Sequence, residues 1–441
     1  MTVQEFLTWV DSFLNFEKLP QKNIFWLDMM EFLCAKLDNP QNKIPCFHVA
    51  GSKGKGSVCA MLASVLSEDK KKVGVYASPH ISDFRERIRL NDKFFSDEVY
   101  KSAAVELKEK FEKIKDELPK ERAVTWFELV TVYAFLVMKH AAVDCAVYEV
   151  GLGGRLDATN IVKPLISVIN TIELEHTEFL GDTLEKIAAE KAGIIKDNIP
   201  VICSAQPENV KNVFIQKANE HNSKIYFADE LTRRLEFSYD KKNQLMNVVL
   251  DSPLFSRPIK FNTKMLGEYQ AKNAALAALA LKLVYPDFDE DKIEKGLSKV
   301  SLPARFEIIH NPVRFLKLDD LVIDGAHTVK SITNTLETLN QFYSDRKIHL
   351  LFACAADKDV EHIARLFLGR FDKVTLTKPG LTKSCDTKKM CQAFSDAKID
   401  ADFFEDFREG IKSALECAQN ENAVLLVTGS FYLASELKNF V

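Results

Sequence analysis

The sequence predicts an α/β protein built on parallel sheets in two domains, and three observations carry that expectation. First, the run His48-Val49-Ala50-Gly51-Ser52-Lys53-Gly54-Lys55-Gly56-Ser57 follows an apolar stretch from Ile44. It opens a helical pattern in which Val58, Met61, Leu62, Val65 and Leu66 share a face. Second, short apolar runs alternate with amphipathic helical patterns along most of the chain, as strands joined by covering helices do. Third, the 441 residues exceed the usual size of one domain.

A strand, a glycine-rich turn and a helix place backbone N–H groups and a helix N-terminus around an anion, the arrangement that cradles phosphates. Gly51, Gly54 and Gly56 let the backbone approach a bulky anion with no Cβ in the way. Lys55 can reach outer phosphates, and the Ser57 hydroxyl can touch them or their magnesium. The strict pattern G-x-x-x-x-G-K-[ST] is not met, because two residues separate Gly51 from Gly54 and Gly56 stands between Lys55 and Ser57. The setting still reads as a nucleotide site rather than a bare surface turn.

A hydrophobic fraction of 46% supplies full cores, and 28% charged residues suit a hydrated surface. The net charge of −4 leaves no basic excess to neutralise nucleic-acid phosphates, so nucleic acid is not an expected partner. Nine cysteines with no C-x-x-C pair fit free thiols in a reducing cytoplasm, not disulfides or a zinc site. No stretch reaches the length of a membrane span and the N-terminus lacks a signal pattern, so a cytoplasmic location without membrane association is expected.

Taken in order, residues 2–37 read as helices with core stripes (Phe6, Val10, Phe13 and Leu14, then Trp26, Met29, Met30, Leu33 and Leu37) that could pack over the mouth of the nucleotide strand. Val73 to Ala77 is a second strand ending at Ser78-Pro79-His80, and Ile81 to Leu90 alternates as a half-exposed strand or loop. Helices follow over 97–117 and from Phe127 to His140. Val143 to Val150 reads as a buried central strand, closed by Glu149 and followed at once by the glycines of 151–154. Ligands of open α/β sheets gather at strand carboxyl ends, so Glu149 is a magnesium candidate, with a capped turn as the alternative. Leu165 to Asn170 is another strand, soon followed by His176, either a ligand or a structural residue. The helix from Leu184 ends in Lys191, which by itself reads as a helix-end cation.

Residues 203–262 look polar and irregular, a β-rich insert, and an Ala/Leu-rich helix then runs to Val284. Beyond Pro303-Ala304-Arg305 the alternation resumes with strands at 321–324, 347–354, 373–377 and 424–428, and helices at 329–341, 359–369, 407–419 and 431–438. The expected organisation is therefore a P-loop parallel-sheet ATPase domain with a small β-rich insert over 1–300, then a Rossmann-like α/β domain over 301–441.

With these residues in hand, the chain resembles the folylpolyglutamate synthase/dihydrofolate synthase family of the Mur ligase superfamily. The marks are HVAGSKGKGS (48–57), SPH (78–80), ERI (86–88), FE (127–128), EVGLGGRLDATN (149–160), EHTEFLGDT (175–183), EKAGIIK (190–196), GEYQAKN (267–273), PARFE (303–307), DGAH (324–327), ADKD (356–359) and TGSFYLAS (428–435). The run 149–160 is the most specific of them.

The resemblance implies an ATP-dependent amide ligase. A pterin-linked carboxylate attacks the γ-phosphate, and the amine of L-glutamate then displaces phosphate from the acyl phosphate. It implies phosphate contacts from Gly51, Gly54, Lys55, Gly56 and Ser57, and magnesium held by Ser78, Glu149 and His176. Lys191 would be carbamylated, turning a repelling cation into an anion that also binds the metal. Asn273 would meet the adenine, Arg305 a phosphate and Asp324 the ribose or ATP, with His327 beside it as a catalytic residue together with Lys55 and Lys191. The pterin would lie against Thr125, Trp126, Phe127 and Glu128 and against Leu156, Asp157 and Ala158, with 24–27 as a further contact. The implied partners are ATP, L-glutamate and the pterin, acting on a monomer.

Two positions depart from the family pattern. Thr328-Val329 follows His327 where Asn-Pro is usual, so an amide contact is lost or supplied by Thr328. Glu175 replaces an Asp before the expected metal histidine, which changes how His176 is oriented. The alternative reading is a Mur-type ligase acting on a cell-wall nucleotide precursor, with a non-enzymatic nucleotide switch further off.

Overall fold

The computed structural model describes residues 1–15, 27–119, 123–312, 318, 320–381 and 383–440. The expected pterin contact at 24–27 and the helix position of Trp26 lie outside these residues, save for Leu27. Two compact units emerge. One comprises Met1–Glu236, Val249–Phe261 and Lys272–Lys299, the other Phe237–Val248, Asn262–Ala271 and Val300–Val441.

In the first unit, β1 (Cys46–Ala50), β2 (Val73–Tyr76), β3 (Ile88–Leu90), β4 (Cys145–Glu149), β5 (Ile166–Ile169), β6 (Val201–Cys203) and β7 (Ile225–Phe227) form one sheet in the order β3-β2-β4-β1-β5-β6-β7. All neighbours are parallel except β3, which runs antiparallel along β2. Every residue of β1, β2, β4 and β5 is buried, as strands covered on both faces must be. The chain leaves β1 toward β2 and leaves the adjacent β4 toward β5, in opposite directions. The carboxyl ends of β1 and β4 therefore flank the crevice where such sheets bind ligands.

The helices Val3–Val10 and Asp28–Lys36 do not cap the nucleotide strand. Phe6, Val10, Met29, Met30 and Leu33 join Leu129 and Tyr133 in one core, with the Phe6 and Tyr133 rings stacked at 4.0 Å. Their apolar stripes are spent on helices Asp97–Ile114 and Trp126–His140.

The stretch expected to be irregular from 203 begins with a regular helix, Glu208–Glu220, whose Val210, Phe214 and Ala218 make a fully buried stripe. Val210, Val213, Phe214 and Ala218 share that face at helical spacing, so the period was present in the sequence among its charged neighbours. The β-rich insert is confined to β8 (Arg234–Asp240), β9 (Leu245–Asp251) and β10 (Ile259–Thr263), a sheet ordered β10-β9-β8.

The second unit carries β11 (Glu307–His310), β12 (Asp320–Ile323), β13 (Ile348–Phe352), β14 (Lys373–Leu376), β15 (Asp402–Phe403) and β16 (Val424–Thr428), ordered β11-β12-β16-β13-β14-β15. Its edge strand β11 is antiparallel to β12 and the remaining pairs are parallel. Helices Val329–Tyr343, Val360–Phe367, Thr387–Asp396, Phe407–Glu421 and Phe431–Lys438 connect and cover it. The helix 387–396 and the short strands β11 and β15 add to the elements expected from the sequence.

Candidate active site

The turn after β1 is shaped by what surrounds its glycines. Gly51 has φ +144° and Gly54 φ +75°, conformations that L side chains rarely adopt. A Cβ on Gly51 would stand 2.9 Å from Asn170 Cβ, and one on Gly54 would overlap Asn170 Nδ2 and lie 2.7 Å from Asn273 Oδ1. Those two amides are bonded to each other, Asn170 Nδ2 donating to Asn273 Oδ1 at 2.7 Å. Asn273 is thus brought to the glycine turn by Asn170, a residue sequence reasoning did not single out. Its position just past the carboxyl end of β5, beside β1, was the available signal. Gly54 caps helix Lys55–Glu68, leaving the first N–H groups of that helix for an anion, with Ser57 buried in the first turn. Lys55 Nζ folds back to donate to Gly51 O at 3.0 Å.

Glu149 closes β4 opposite Val49 and is 4% exposed. Its Oε2 accepts from Ser78 N at 3.1 Å, so Ser78, two residues past β2, is held at the same carboxylate. A Cβ on Gly56 would come 3.5 Å from that Oε2, so the bare Gly56 leaves the space over the carboxylate open. A buried carboxylate, a serine and an anion cradle facing one space suit magnesium, which keeps waters and takes one or two carboxylates with substrate phosphates. His176 is exposed at φ +48° ahead of helix Thr177–Leu180. Among the described residues, neither it nor Glu149 joins other His, Cys, Asp or Glu side chains in a preformed three-ligand cage.

Lys191 is 1% exposed in helix Leu184–Ala192, and its Nζ donates to Gly51 O at 3.0 Å and to Glu175 Oε1 at 3.1 Å. Lys53 stands 3.4 Å from Glu175 Oε2. Burial drives Lys191 down to about 8, with Lys55 and Lys53 adding repulsion against the pull of Glu175. Burial alone would raise Glu175, but Lys191, Lys55 and Lys53 hold it at about 2. The acid that replaces the usual aspartate is therefore turned to the lysines as well as preceding His176. The glycines of 151–154 explain how Lys191 is set. A Cβ on Gly154 would stand 2.8 Å from Glu190 O and 3.0 Å from Lys191 Cα, so only glycine lets the loop lie on this helix. Asn160 Nδ2 donates to Arg155 O and Gly193 O, both at 2.9 Å, fastening the two segments.

Several residues expected to contact substrate also make hydrogen bonds that hold the scaffold. Thr125 caps helix Trp126–His140. Thr125 N and Oγ1 each donate to Glu128 Oε2 at 2.8 Å, while Glu128 N donates to Thr125 Oγ1. Trp126 Nε1 donates to Asp11 Oδ1 at 2.9 Å and the ring is 4% exposed. Asp157 takes the N–H groups of Gly151 and Leu152 on Oδ2 and the N–H of Thr159 on Oδ1, all at 3.0 Å, so it organises the loop. Ala158 is buried, which leaves Phe127 and Leu156 as the partly exposed members of the set. A buried polar side chain must find partners, and here the nearest backbone supplied them.

In the second unit the same holds for Asp324. Its Oδ2 accepts from Phe306 N at 2.7 Å and its Oδ1 from Ala326 N at 2.8 Å, anchoring the 304–306 turn to the end of β12. Arg305, carried by that turn, lies over the Phe431 ring at 4.3 Å, and the His327 ring meets the same phenyl edge-on at 6.1 Å. His327 Nδ1–H donates to Gly325 O at 2.8 Å. Phe431 as a shared platform was missed by sequence reasoning, although it stands inside a family motif. Thr328 follows His327 directly. It caps helix Val329–Tyr343, its Oγ1 accepting from Ser331 N at 3.3 Å and pairing with Ser331 Oγ at 2.9 Å.

A P-loop-like cradle with an acid at the next strand end, on one α/β unit, and an arginine–histidine–phenylalanine cluster on another define the class as a Mur-type ATP-dependent ligase. The Mur ligase middle domain matches residues 49–281, and the glutamate ligase domain of Mur ligases matches 304–431. The dihydrofolate synthase/folylpolyglutamate synthase of Bacillus subtilis is 28% identical over 99% of this chain and 98% of that protein. A probable dihydrofolate synthetase of Schizosaccharomyces pombe is 30% identical over 94% and 98%. A solved FPGS–AMPPCP–folate complex matches at 26% identity with a TM-score of 0.83, over 100% of this chain and 99% of that one. The chain belongs to the folylpolyglutamate synthase/dihydrofolate synthase family of Mur ligases, and is an ATP-dependent glutamate ligase rather than a cell-wall precursor ligase.

Proposed function

We propose that this chain joins L-glutamate to the carboxylate of dihydropteroate or a reduced folate, using ATP and passing through an acyl phosphate. The observation that carries the reading is the convergence of Lys55 and Lys191 on Gly51 O, beside Glu175 and within the glycine turn that Asn170 and Asn273 support. Phosphoryl transfer is mostly positioning and charge neutralisation, and this cluster supplies both. In this reading Gly51, Gly54, Gly56 and Ser57 hold the phosphates, Lys55 swings from Gly51 O to the outer phosphate, and Asn273 meets the base.

Ser78, Glu149 and His176 would hold magnesium, which when bound neutralises phosphate charge. Lys191 is the residue we assign to carbamylation. Carbon dioxide adds only to a neutral amine, and burial brings Lys191 within about a unit of neutrality at physiological pH. Arg305 and His327, aligned on Phe431, would bind phosphate and act in transfer to glutamate, while Asp324 positions them through the 304–306 turn. Phe127 and Leu156 would contact the pterin, with Thr125, Trp126, Glu128, Asp157 and Ala158 shaping that wall. Nine free cysteines support a reducing, cytoplasmic setting, and no helix among the described residues is long and apolar enough to cross a membrane. We assign the working unit as a monomer with domains at 1–300 and 301–441.

The test is glutamate-dependent phosphate release with dihydropteroate, tetrahydrofolate and a UDP-muramoyl precursor in turn. Release with either pterin and none with the muramoyl compound is the expected outcome. Release with the muramoyl compound alone would overturn the proposal.

A further inference from the structure

At the amino end of β13, within the second unit, the strand Ile348–Phe352 buries a histidine where its neighbours are apolar. His349 is 2% exposed, and neither Nδ1 nor Nε2 makes a hydrogen bond. Its Nδ1 has no partner and its Nε2 meets only a carboxylate at ion-pair distance, a costly state for a buried imidazole that a stronger partner would relieve. Its Nε2 faces Glu421 Oε2 at 3.4 Å. Glu421 and Cys417 lie one turn apart on one face of helix Phe407–Glu421, with Cys417 Sγ 3.9 Å from Glu421 Oε1. One ring nitrogen, the thiol sulfur and a carboxylate oxygen all fall within 4.8 Å of one another.

We propose that His349, Cys417 and Glu421 form a binding site for a zinc-class divalent cation that ties helix Phe407–Glu421 to β13. An imidazole nitrogen, a thiolate and a carboxylate are the donor types zinc takes, three from protein leaving a fourth position for water. A modest contraction of the present spacing brings the donors onto one ion. On binding, the Cys417 S–H bond breaks, its proton leaves to solvent, and the sulfur bonds the metal. No oxidant or reductant is involved.

The surroundings suit an ion that enters from solvent. Cys417 is half-buried and Glu421 exposed, so the buried histidine forms the floor. Two cations border the site. Lys347 lies 3.5 Å from Glu421 Oε2, and Lys373 is paired with Asp402 at 3.1 Å. Both are largely exposed and free to turn outward. The cluster sits at the amino end of the strand, whereas Asp324, His327 and Thr428 lie at the carboxyl ends of the same sheet. Its role is a clasp on the fold, independent of the ligase assignment. The sequence concealed it because its ligands are not in a C-x-x-C pattern but come from a strand and a distant helix.

The experiment titrates tag-free, full-length protein with Co2+ and follows thiolate-to-cobalt charge-transfer absorption. The wild type is expected to develop the band and saturate at one equivalent. Cys417→Ser should abolish it, whereas Cys385→Ser and Cys391→Ser should leave it intact. Glu421→Gln and His349→Gln should each weaken binding by more than the ~10-fold typical of losing an outer partner of a metal ligand. In parallel, Zn2+ should raise the melting temperature of the wild type but not of Cys417→Ser, which retains the fold because sulfur-to-oxygen exchange on a half-buried helix face is mild. Absence of the band, or a band that survives Cys417→Ser, would overturn the proposal.

Discussion

Gly54→Ala and Gly56→Ala differ by one methyl group each, two residues apart, and should behave in opposite ways. At Gly54 the backbone is left-handed at φ +75°, which costs an L residue about 1–2 kcal/mol. The new Cβ would also overlap Asn170 Nδ2 and crowd Asn273 Oδ1, breaking a buried hydrogen bond worth about 1 kcal/mol. The stiffer unfolded chain returns roughly 0.5 kcal/mol, leaving a net loss of about 2 kcal/mol. For a unit of this size that lowers the melting temperature by about 3–4 °C. Gly56 lies in the first turn of helix Lys55–Glu68, where alanine is a better helix former by up to about 1 kcal/mol. Its Cβ would have Glu149 as nearest neighbour, at an ordinary 3.5 Å, so stability should be unchanged or slightly raised. The methyl nonetheless enters the space between the carboxylate and the phosphates. Thermal melts and initial-rate kinetics at varied ATP and magnesium separate the two cases. Gly54→Ala should lose stability and ATP affinity together, and Gly56→Ala should lose only activity. A Gly54→Ala enzyme with unchanged melting temperature and KM for ATP, or a Gly56→Ala enzyme that is destabilised, would refute the steric account of the cradle.

Glu149→Gln keeps the size of the side chain but removes its charge, so the magnesium optimum for ligation should move to much higher concentration; an unchanged profile would make the acid a structural cap. Lys191→Met removes a buried ammonium but also the foremost of the three cations that hold Glu175 ionised, so the two effects oppose each other in stability near pH 7, while ligation should be abolished. Because Lys191 loses its proton at about 8 in the folded chain and near 10.5 unfolded, wild-type stability should gain on that variant as pH rises between those values, as pH-dependent denaturant titrations would show. Phe431→Ala removes the surface under Arg305 and His327 and should reduce kcat for glutamate transfer with little change in the midpoint of denaturation. Thr328→Ala should cost about 1 kcal/mol by removing a helix cap and leave kcat nearly intact; a large kcat loss would return Thr328 to the active site.

Much of this protein was legible in its residues. The turn at 51–57 was readable because glycines have few reasons to cluster between an apolar strand and a helix. The second unit was readable because its central strands are mostly apolar and its helices are strongly two-faced. Glu149 stood out as the single acid ending a buried run, and the structure places it beside Ser78 and Gly56. Local chemistry thus determined the fold class, the position of the nucleotide turn and most element boundaries.

Tertiary structure alone decided where the polar side chains spend their hydrogen bonds. Thr125, Glu128, Asp157, Asp324 and Thr328 all lie in motifs that suggest ligand contact, and each also bonds backbone or a capping partner. A sequence shows which groups can donate or accept; burial and proximity decide which partner is within 3 Å, and an unmet buried group is costly enough to dictate the outcome. For the same reason the roles of Asn170, Phe431 and the His349–Cys417–Glu421 cluster were not assigned beforehand. Each acquires its meaning from a residue far away in the chain, brought near by the sheet order, and only the folded backbone supplies that order.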